Sequence, residues 1–439
     1  MKKIFFAVGL ISSVFSLVNA QQIQFEEYDL ENGLHVILQE DHSNPIVTVS
    51  VLYHVGSKNE EPNRTGFAHF FEHLLFEGSE NIKRGEFSQY VENNGGVLNA
   101  NTTKDRTYYY ETLPSNQLAL GLWLESERML HAKVENVGIE TQREVVKEEK
   151  RLRMDNQPYM TAFRKEIWEY LFPTHPYNWA VIGSIDDLNA AQEADYKNFY
   201  ATYYVPNNAT LSIAGDINPT EAKKLIQDYF GSIPKGTKTI KRPHVTEKPI
   251  TKEIVVTSED KNAQLPAILI AYRTPKETDK DAYVLDIISN VLSNGQSSRI
   301  TKNVVNKKQL ALASGSFLYG LEDYGTFFIY AMPNQGVETD KLLEALDLEV
   351  DNLINNGISE KELQTQINKL EKQFVSGNGT TSGIAENLAN YHVYFGDANL
   401  INTEIDKYRA ITVEDIKRVA KKYLNKNQRV RMNVVPSKK

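Results

Sequence analysis

Two histidines four residues apart, with a glutamate between them, constrain this chain more than any other feature of its sequence. The segment 69–73 reads H-F-F-E-H, which is the spacing H-x-x-E-H. In a helix, residues i and i+4 lie on one face, so His69 and His73 can reach a single metal ion. Glu72 lies on the same face, too close to His73 to ligate easily but well placed to hold a water molecule beside the metal. The motif therefore predicts a Zn²⁺ site with Glu72 as the general base.

The residues around the motif weigh against a purely structural explanation. The helix would be largely buried, because the histidines stand among the apolar side chains of Phe70, Phe71, Leu74, Leu75 and Phe76. Two histidines and a glutamate are costly to bury without partners. A packing helix is the alternative, but a metal ion removes the cost, because the histidines ligate in their neutral form and the carboxylate gains a partner.

A third ligand is needed, because catalytic zinc usually has three protein ligands and one open position. The segment 139–149 has the pattern of a helix in which Glu149 shares a face with Val145 and Val146. Glu148 lies on a more charged side. An apolar face points to the core, so Glu149 is the better inward carboxylate. The spacing alone leaves a ligand and a solvated charged helix as equal alternatives.

Several segments on either side of the motif form a recognisable pattern. They are Tyr53–Ser57 with Glu60 and Gly66, Leu98–Ala100 with Thr102, Asp105, Thr107 and Tyr109, Arg143–Val146 before Glu149, His175–Tyr177, and Ile182–Gly183. With the motif, they resemble the insulinase/pitrilysin family of zinc metallopeptidases, in its short-chain branch with the mitochondrial processing peptidases. The resemblance covers essentially the whole chain after residue 20. Glu149 follows His73 by 76 residues, which is similar to the family's spacing.

The resemblance implies a fold and an activity. The fold is α+β, with two homologous α/β-sandwich domains, each a mixed or antiparallel sheet with packed helices, arranged as a clamshell. The metal set is His69, His73 and Glu149 on Zn²⁺. The activity is that of a zinc endopeptidase that cleaves peptides or small unfolded polypeptides.

Substrate-binding residues also follow from the resemblance. An extended substrate would pair with an edge strand near Asn99 and Ala100, so that main-chain hydrogen bonds supply affinity. Tyr109, His175 and Tyr177 would line the site. For His175, a packing or turn histidine is an equal alternative.

The chain departs from the family pattern at two places, one that affects the charge near the metal and one that affects substrate binding. Many members carry a second glutamate seven residues before the ligand glutamate, where this chain has Gln142 in a supporting position. Members that work alone carry an arginine and, seven residues later, a tyrosine that bind substrate, where this chain has Val305 and Leu312. We therefore expect the zinc-bearing subunit of a dimer, with a metal-free homologous partner that supplies the pair, or else a homodimer.

The N-terminal segment 1–20 is predicted to be a secretory signal peptide. Lys2 and Lys3 precede a mainly apolar run at 4–18, and cleavage is expected after Ala20. An uncleaved anchor is the alternative. The chain has no cysteine, so lipid attachment and disulfides are not expected. The predicted location is periplasmic or secreted, with no membrane anchor.

The rest of the chain divides at a proline- and lysine-rich stretch. We expect an N-terminal zinc-binding domain at 21–232, a linker at 233–250 and a C-terminal domain at 251–439. The segments 196–211 and 415–430 share a helix-then-strand order, so the halves look like distant copies. The predicted helix of the second copy, around 282–286, has no histidine, so that half carries no metal set.

The net charge of the chain limits the classes of partner that we expect it to bind. Without Lys2 and Lys3 the chain has 49 − 2 = 47 basic and 57 acidic residues, a net charge of −10. This charge argues against nucleic acid or an anionic membrane as the main partner and mildly favours cationic peptides. Two rival functions stay open. One is a non-catalytic or partner-dependent binding or assembly subunit of the same fold, and the other is a zinc hydrolase for non-peptide amides.

Overall fold

The computed structural model describes residues 22–437. The predicted signal peptide at 1–20 and its cleavage site lie outside the described residues. Within that range, no helix combines the length and the apolar character needed to cross a membrane.

The described residues form two β-sheets. The strands of the first are β1 (Glu26–Asp29), β2 (His35–Glu40), β3 (Ile46–Tyr53), β4 (Val97–Thr102), β5 (Thr107–Pro114) and β6 (Ala209–Gly215). The strands of the second are β7 (Ile254–Asp260), β8 (Ala267–Thr274), β9 (Ala311–Tyr319), β10 (Gly325–Pro333) and β11 (Arg429–Pro436).

Helices cover the faces of these sheets. In the first half they are α1 (Phe67–Leu74), α2 (Glu86–Asn93), α3 (Leu118–Leu130), α4 (Asn136–Lys150), α5 (Ile167–Leu171), α6 (Ile185–Ala190), α7 (Glu193–Tyr203) and α8 (Pro219–Phe230). In the second half they are α9 (Lys280–Ser293), α10 (Thr339–Asn356), α11 (Glu360–Gly377), α12 (Thr381–Asn390), α13 (Leu400–Arg409) and α14 (Val413–Tyr423). π-Helical turns lie at Arg151–Asp155, Ala162–Glu166, Thr301–Lys307 and Tyr391–Phe395.

The two sheets share one topology, which confirms the predicted repeat. The strand orders are β2-β6-β3-β5-β4 and β7-β11-β8-β10-β9, and β1 adds an edge to the first sheet. In each sheet the first two strands are parallel and the remaining neighbours are antiparallel. The strands also follow in the same chain order. The fold is therefore α+β with two copies of one sheet-and-helix unit, as expected.

Each half also completes the core of the other, a feature that the sequence did not predict. The residues Ile167, Trp168 and Leu171 of α5 are buried against the second sheet. In the opposite direction, Ile384 and Leu388 of α12 are buried against the first sheet. The segment between α8 and β7 contains no helix or strand. This segment therefore separates the residues of the two sheets in the sequence. In three dimensions, the core on each sheet contains residues from both halves.

A buried ion cluster joins the halves at the turn between β9 and β10. The Lys58 ammonium, which is 2% exposed, lies 2.5 Å from Glu322, 3.1 Å from Asp323 and 3.0 Å from Asp105. His54 Nε2 is 2.8 Å from the same Glu322 carboxylate. Because Glu322 and Asp323 belong to the second half, this cluster fixes the turn against the first.

Candidate metal centre

Helix α1 carries the motif and is held at its beginning by a buried carboxylate. Glu60 accepts hydrogen bonds from the main-chain N–H groups of Gly66 and Ala68, both at 2.8 Å. These are among the donors that a helix start leaves unpaired. Phe70 and Phe71 face the core and are fully buried. The histidines therefore lie on the remaining side of the helix.

A close contact between two glycines sets where α1 begins. Gly66 has φ +92° and Gly183 has φ +72°, which favours glycine at both positions. A Cβ on Gly66 would lie 2.7 Å from the carbonyl oxygen of Ile182, and a Cβ on Gly183 would lie 2.4 Å from that of Thr65. A side chain at either position would displace the helix and the motif with it.

Glu149, near the end of α4, completes a three-residue cluster with the motif. Its Oε2 lies 3.4 Å from His69 Nε2 and 3.0 Å from His73 Nε2. One ligand atom from each of the three residues falls within 4.8 Å of the others. Glu148 is instead about half exposed and pairs with Arg151. The structure thus brings together the three ligands that the sequence proposed.

The cluster fits a divalent cation. Glu149 Oε2 is buried and accepts no hydrogen bond from the described residues, although it faces two ring nitrogens. Burial lowers the pKa of His69 to about 4, so its imidazole is neutral and has a lone pair to offer. Ligand atoms around a tetrahedral zinc ion are about 3.3 Å apart. The observed 3.0 and 3.4 Å match that spacing.

Two further side chains hold the acidic residues of the cluster. Thr102, at the end of β4, donates its hydroxyl to Glu72 Oε2 at 2.5 Å. Burial raises the pKa of Glu72, which makes its carboxylate a stronger base. Arg153 lies 3.0 Å from Glu149 Oε1, the oxygen that does not face the histidines.

A cavity of about 450 Å³ opens at the cluster between the two halves. The first half contributes His69, Glu72, Ala100, Asn101, Thr102, Lys104, Glu149, Arg153, Met154, Phe163, Arg164, Trp168, Ala180, Val181 and Ile182, and the second contributes Tyr319 and Phe328. Strand β4 is the edge of its sheet, pairing only with β5, so its free side can accept another strand. Ala100 lines this cavity, and Asn99 beside it is exposed.

The prediction that Tyr109 lines the site is wrong. Its side chain is fully buried, its hydroxyl donates to the carbonyl of Phe71 at 2.8 Å, and the Arg128 guanidinium stacks 4.1 Å from its ring. Tyr109 pairs across the sheet with Ala100. It lies one strand further in, where α1 covers the sheet, and so it supports the helix from below.

His175 and Tyr177 do not line the cavity either. Both are fully buried, and the Tyr177 hydroxyl donates to Asp105 at 2.7 Å and accepts from the main-chain N–H of Asp323 at 3.1 Å. His175 Nε2 is 3.3 Å from the Asp323 carboxylate. The two residues therefore belong to the contact between the halves, and the packing alternative for His175 is the right one.

Gln142 contacts an acidic side chain that is not one of the three ligands. Its side-chain amide donates to Glu77, which also pairs with Arg84, and no hydrogen bond joins it to the three ligands among the described residues. Its supporting role at the metal stays a prediction.

The two positions that the resemblance assigns to an arginine and a tyrosine, Val305 and Leu312, are apolar in this chain. Val305 packs against the core of the second sheet, and Leu312 on the edge strand β9 is 58% exposed. Neither is among the residues that line the described cavity.

Sequence reasoning missed several residues of the site. Arg153 carries a detectable signal, because it follows Glu149 by four residues on a helical stretch. The sequence gives no such sign for Phe163, Arg164 and Trp168, because only the three-dimensional path of the chain brings them to the cavity.

The fold and the centre together define a class, that of metallopeptidases with two related domains and an inverted motif. A family model described as Insulinase (Peptidase family M16) matches residues 35–170, and one described as Peptidase M16 inactive domain matches residues 191–370. The second description agrees with α9, the helix that follows β8 and has no histidine. The chain therefore belongs to the insulinase family of peptidases, M16.

Individual relatives cover nearly the full chain. It is 32% identical over 407 residues to the zinc protease PqqE of Helicobacter pylori, covering 92% of this chain and 91% of that protein. It is 26% identical over 419 residues to the mitochondrial-processing peptidase subunit beta of Blastocladiella emersonii, covering 93% and 88%. The crystal structure of a protease from Helicobacter pylori superposes with a TM-score of 0.90 at 29% identity, covering 94% and 100%.

Proposed function

We propose that this protein is an exported zinc endopeptidase that cleaves peptides or small unfolded polypeptides. The observation that carries the proposal is the convergence of His69, His73 and Glu149 beside Glu72, in a cavity bordered by a free strand edge. Relatives named zinc proteases over nine-tenths of the chain support it.

The substrate would bind extended, as an added strand along β4. The N–H and C=O groups of β4 that do not pair with β5 would hold the peptide main chain, which gives affinity with modest sequence selectivity. The carbonyl to be cleaved then lies near Thr102 and Glu72, at the metal end of the strand. The aromatic side chains of Phe163, Trp168 and Phe328 offer apolar surface for substrate side chains.

Glu72 is the proton carrier of the reaction. His69, His73 and Glu149 would hold Zn²⁺, which supplies Lewis-acid chemistry by acidifying water and polarising a carbonyl. Glu72 Oε2 is held by Thr102, which leaves Oε1 to accept the proton of the attacking water. The same carboxyl can then give this proton to the leaving amine. Arg153 keeps Glu149 turned toward the histidines.

Export and partnership are further parts of the proposal. Export rests on the signal-peptide pattern at 1–20. A zinc-bearing role within a dimer rests on Val305 and Leu312, because these side chains cannot make the polar contacts of an arginine and a tyrosine. The partner would be a metal-free homologous subunit or a second copy of this chain.

The decisive test is hydrolysis of an unstructured fluorogenic peptide by zinc-loaded protein, with Glu72→Gln as the matched control. We expect turnover in the wild type and at least a hundredfold less in the variant, with about one zinc retained at the motif in both. Turnover that survives in Glu72→Gln would overturn the assignment of the base. Mass spectrometry of a mixed pool of peptides and non-peptide amides identifies the bond that is cleaved.

A second candidate function is a partner-dependent or non-catalytic assembly subunit. The absence of an arginine and a tyrosine at the positions of Val305 and Leu312 favours it. It predicts full zinc loading without turnover by the isolated chain. Turnover that appears after a co-purifying homologue is added would show partner dependence, whereas continued inactivity with every partner would favour the assembly role.

A further inference from the structure

A second cluster of ligand side chains lies outside the motif, where the edge of the first sheet meets a segment from the second half. It consists of Glu27 on β1, His35 on β2 and His392 in the π-helical turn at Tyr391–Phe395. One ligand atom from each of the three lies within 4.8 Å of the others. These residues do not line the cavity at the motif and have no part in the proposed reaction.

The pairing of β1 with β2 arranges two carboxylates around one imidazole. Asp29 lies directly opposite His35, and Glu27 lies two residues along the same face. His35 Nδ1 is 2.7 Å from Asp29 Oδ1, and His35 Nε2 is 3.3 Å from Glu27 Oε2. One ring nitrogen is thus held by an outer carboxylate while the other faces a second ligand. This is the arrangement of a carboxylate–histidine–metal triad.

The second imidazole comes from the other half of the chain and is stacked on the first. The ring centroids of His35 and His392 are 3.4 Å apart and their planes differ by 7°. His392 Nδ1 is 4.0 Å from Glu27 Oε2. Tyr391, next to His392, is buried with Ile37 in the core that α12 forms on the first sheet. Packing of the second half therefore presents this imidazole to the strand pair.

We propose that Glu27, His35 and His392 form a second site for a divalent transition metal ion, with Zn²⁺ as its occupant and Asp29 as the outer carboxylate. Two imidazoles and one carboxylate form a donor set that suits zinc. Tetrahedral ligands are about 3.3 Å apart, so Glu27 and His392, now 4.0 Å apart, would have to close by about 0.7 Å. The His392 ring would also have to turn out of its stack on His35, because an imidazole binds a metal ion in the plane of its ring. The side chains of Glu27 and His392 are 44% and 31% exposed, which leaves room for that movement and a fourth position open to solvent.

The consequence is a structural role. The ion would bridge β1 and β2 of the first half and the segment that follows α12 of the second half. It would therefore tie the two copies together outside the cavity at the motif. This proposal does not depend on the peptidase activity, because none of its residues lines the cavity at the motif.

The test is the zinc stoichiometry of the full protein after removal of metal with a chelator and equilibrium dialysis against Zn²⁺, measured by mass spectrometry of the metal. We expect about two equivalents in the wild type. His392→Ala and Glu27→Gln should each bind about one, and the double variant His69→Ala/His73→Ala should also bind about one. His42 gives a matched control, because it contacts Glu40 and Asp216 at 2.9 and 2.6 Å without a second imidazole. His42→Ala should keep two equivalents.

A thermal readout separates metal binding from folding. Zinc should raise the Tm of His69→Ala/His73→Ala and should not raise that of the same variant with Glu27→Gln added. Glu27 is partly exposed, so this change leaves the core intact. A single equivalent in the wild type would overturn the proposal. So would a second equivalent that persists in both His392→Ala and Glu27→Gln.

Discussion

The hydroxyl of Thr102 donates to Oε2 of Glu72 across 2.5 Å, so the edge strand β4 is joined directly to the acidic residue of the metal motif. Burial raises the pKa of Glu72, and this hydrogen bond lowers it again. The strand that would bind substrate therefore also sets the basicity and orientation of the proposed base.

Removing this hydroxyl should change the pH dependence of hydrolysis. In Thr102→Val the charged form of Glu72 loses a donor, so the pKa of Glu72 rises and the acidic limb of kcat/KM moves to higher pH. Activity on that limb should fall about tenfold, the usual effect of one hydrogen bond to a charged group. The measurement is a pH profile of kcat/KM. Thr102→Ser, which keeps the hydroxyl, should behave as the wild type, and an unmoved limb in Thr102→Val would contradict the assignment.

Arg153 should act on zinc affinity through Glu149. It holds Glu149 Oε1, and outer partners of metal ligands typically contribute 10- to 100-fold in affinity. The Arg153 side chain is 73% exposed, so solvent weakens the pair and we expect about tenfold for Arg153→Gln. Competition with a chromophoric chelator measures the Kd.

The matched control for this change is two residues away. Arg151 is 51% exposed and pairs with Glu148 at 3.0 Å, which is not a ligand. Arg151→Gln should leave the zinc Kd unchanged. Equal losses in both variants would mean that the arginines act through general charge and not by orienting Glu149.

The sequence was most informative where the chemistry is local. The spacing of His69 and His73 is a property of one helix, and the face rule selected Glu149 over Glu148. The same rule failed for Val145, which is 43% exposed although it was expected to face inward with Glu149. Val146, three residues before Glu149, is fully buried, so the buried face of α4 runs through Val146 and not through Val145.

Contacts between segments that are far apart in the sequence could not be predicted from it. The alternation of strands places Ala100 and Tyr109 on one face, but only the packing of α1 decides that Tyr109 is covered. The pair between Lys58 and Glu322 spans 264 residues and leaves no periodic pattern. The exchange of α5 and α12 between the cores could not be predicted either, because an apolar helix face shows that the helix is buried but not which sheet buries it.

The arginines at the cavity predict a preference for acidic peptides, the reverse of what the net charge of −10 suggested. Arg164 is exposed at the cavity and makes no ion pair with the described residues. Arg164→Gln should lower kcat/KM several-fold for a peptide with Asp or Glu near the cleaved bond. It should leave a neutral peptide of the same length unaffected, and added salt should reduce the difference. Equal changes for both peptides would contradict an electrostatic role.

The buried ammonium of Lys58 should be the strongest single link between the halves. Lys58→Met would leave the nearly buried carboxylate of Asp105 without its cation, and such losses cost about 3–5 kcal/mol. At an unfolding entropy of about 2.1 cal/mol/K per residue, the Tm should fall by about 3–6 °C, measured by circular dichroism. Lys241→Met is the matched control, because Lys241 also pairs with a carboxylate, that of Glu61 at 2.9 Å, but is 77% exposed. Its Tm should change by no more than about 2 °C, since exposed pairs contribute little. If Lys58→Met and Lys241→Met have the same Tm, the ion cluster does not hold the two halves together, and the shared cores alone must do so.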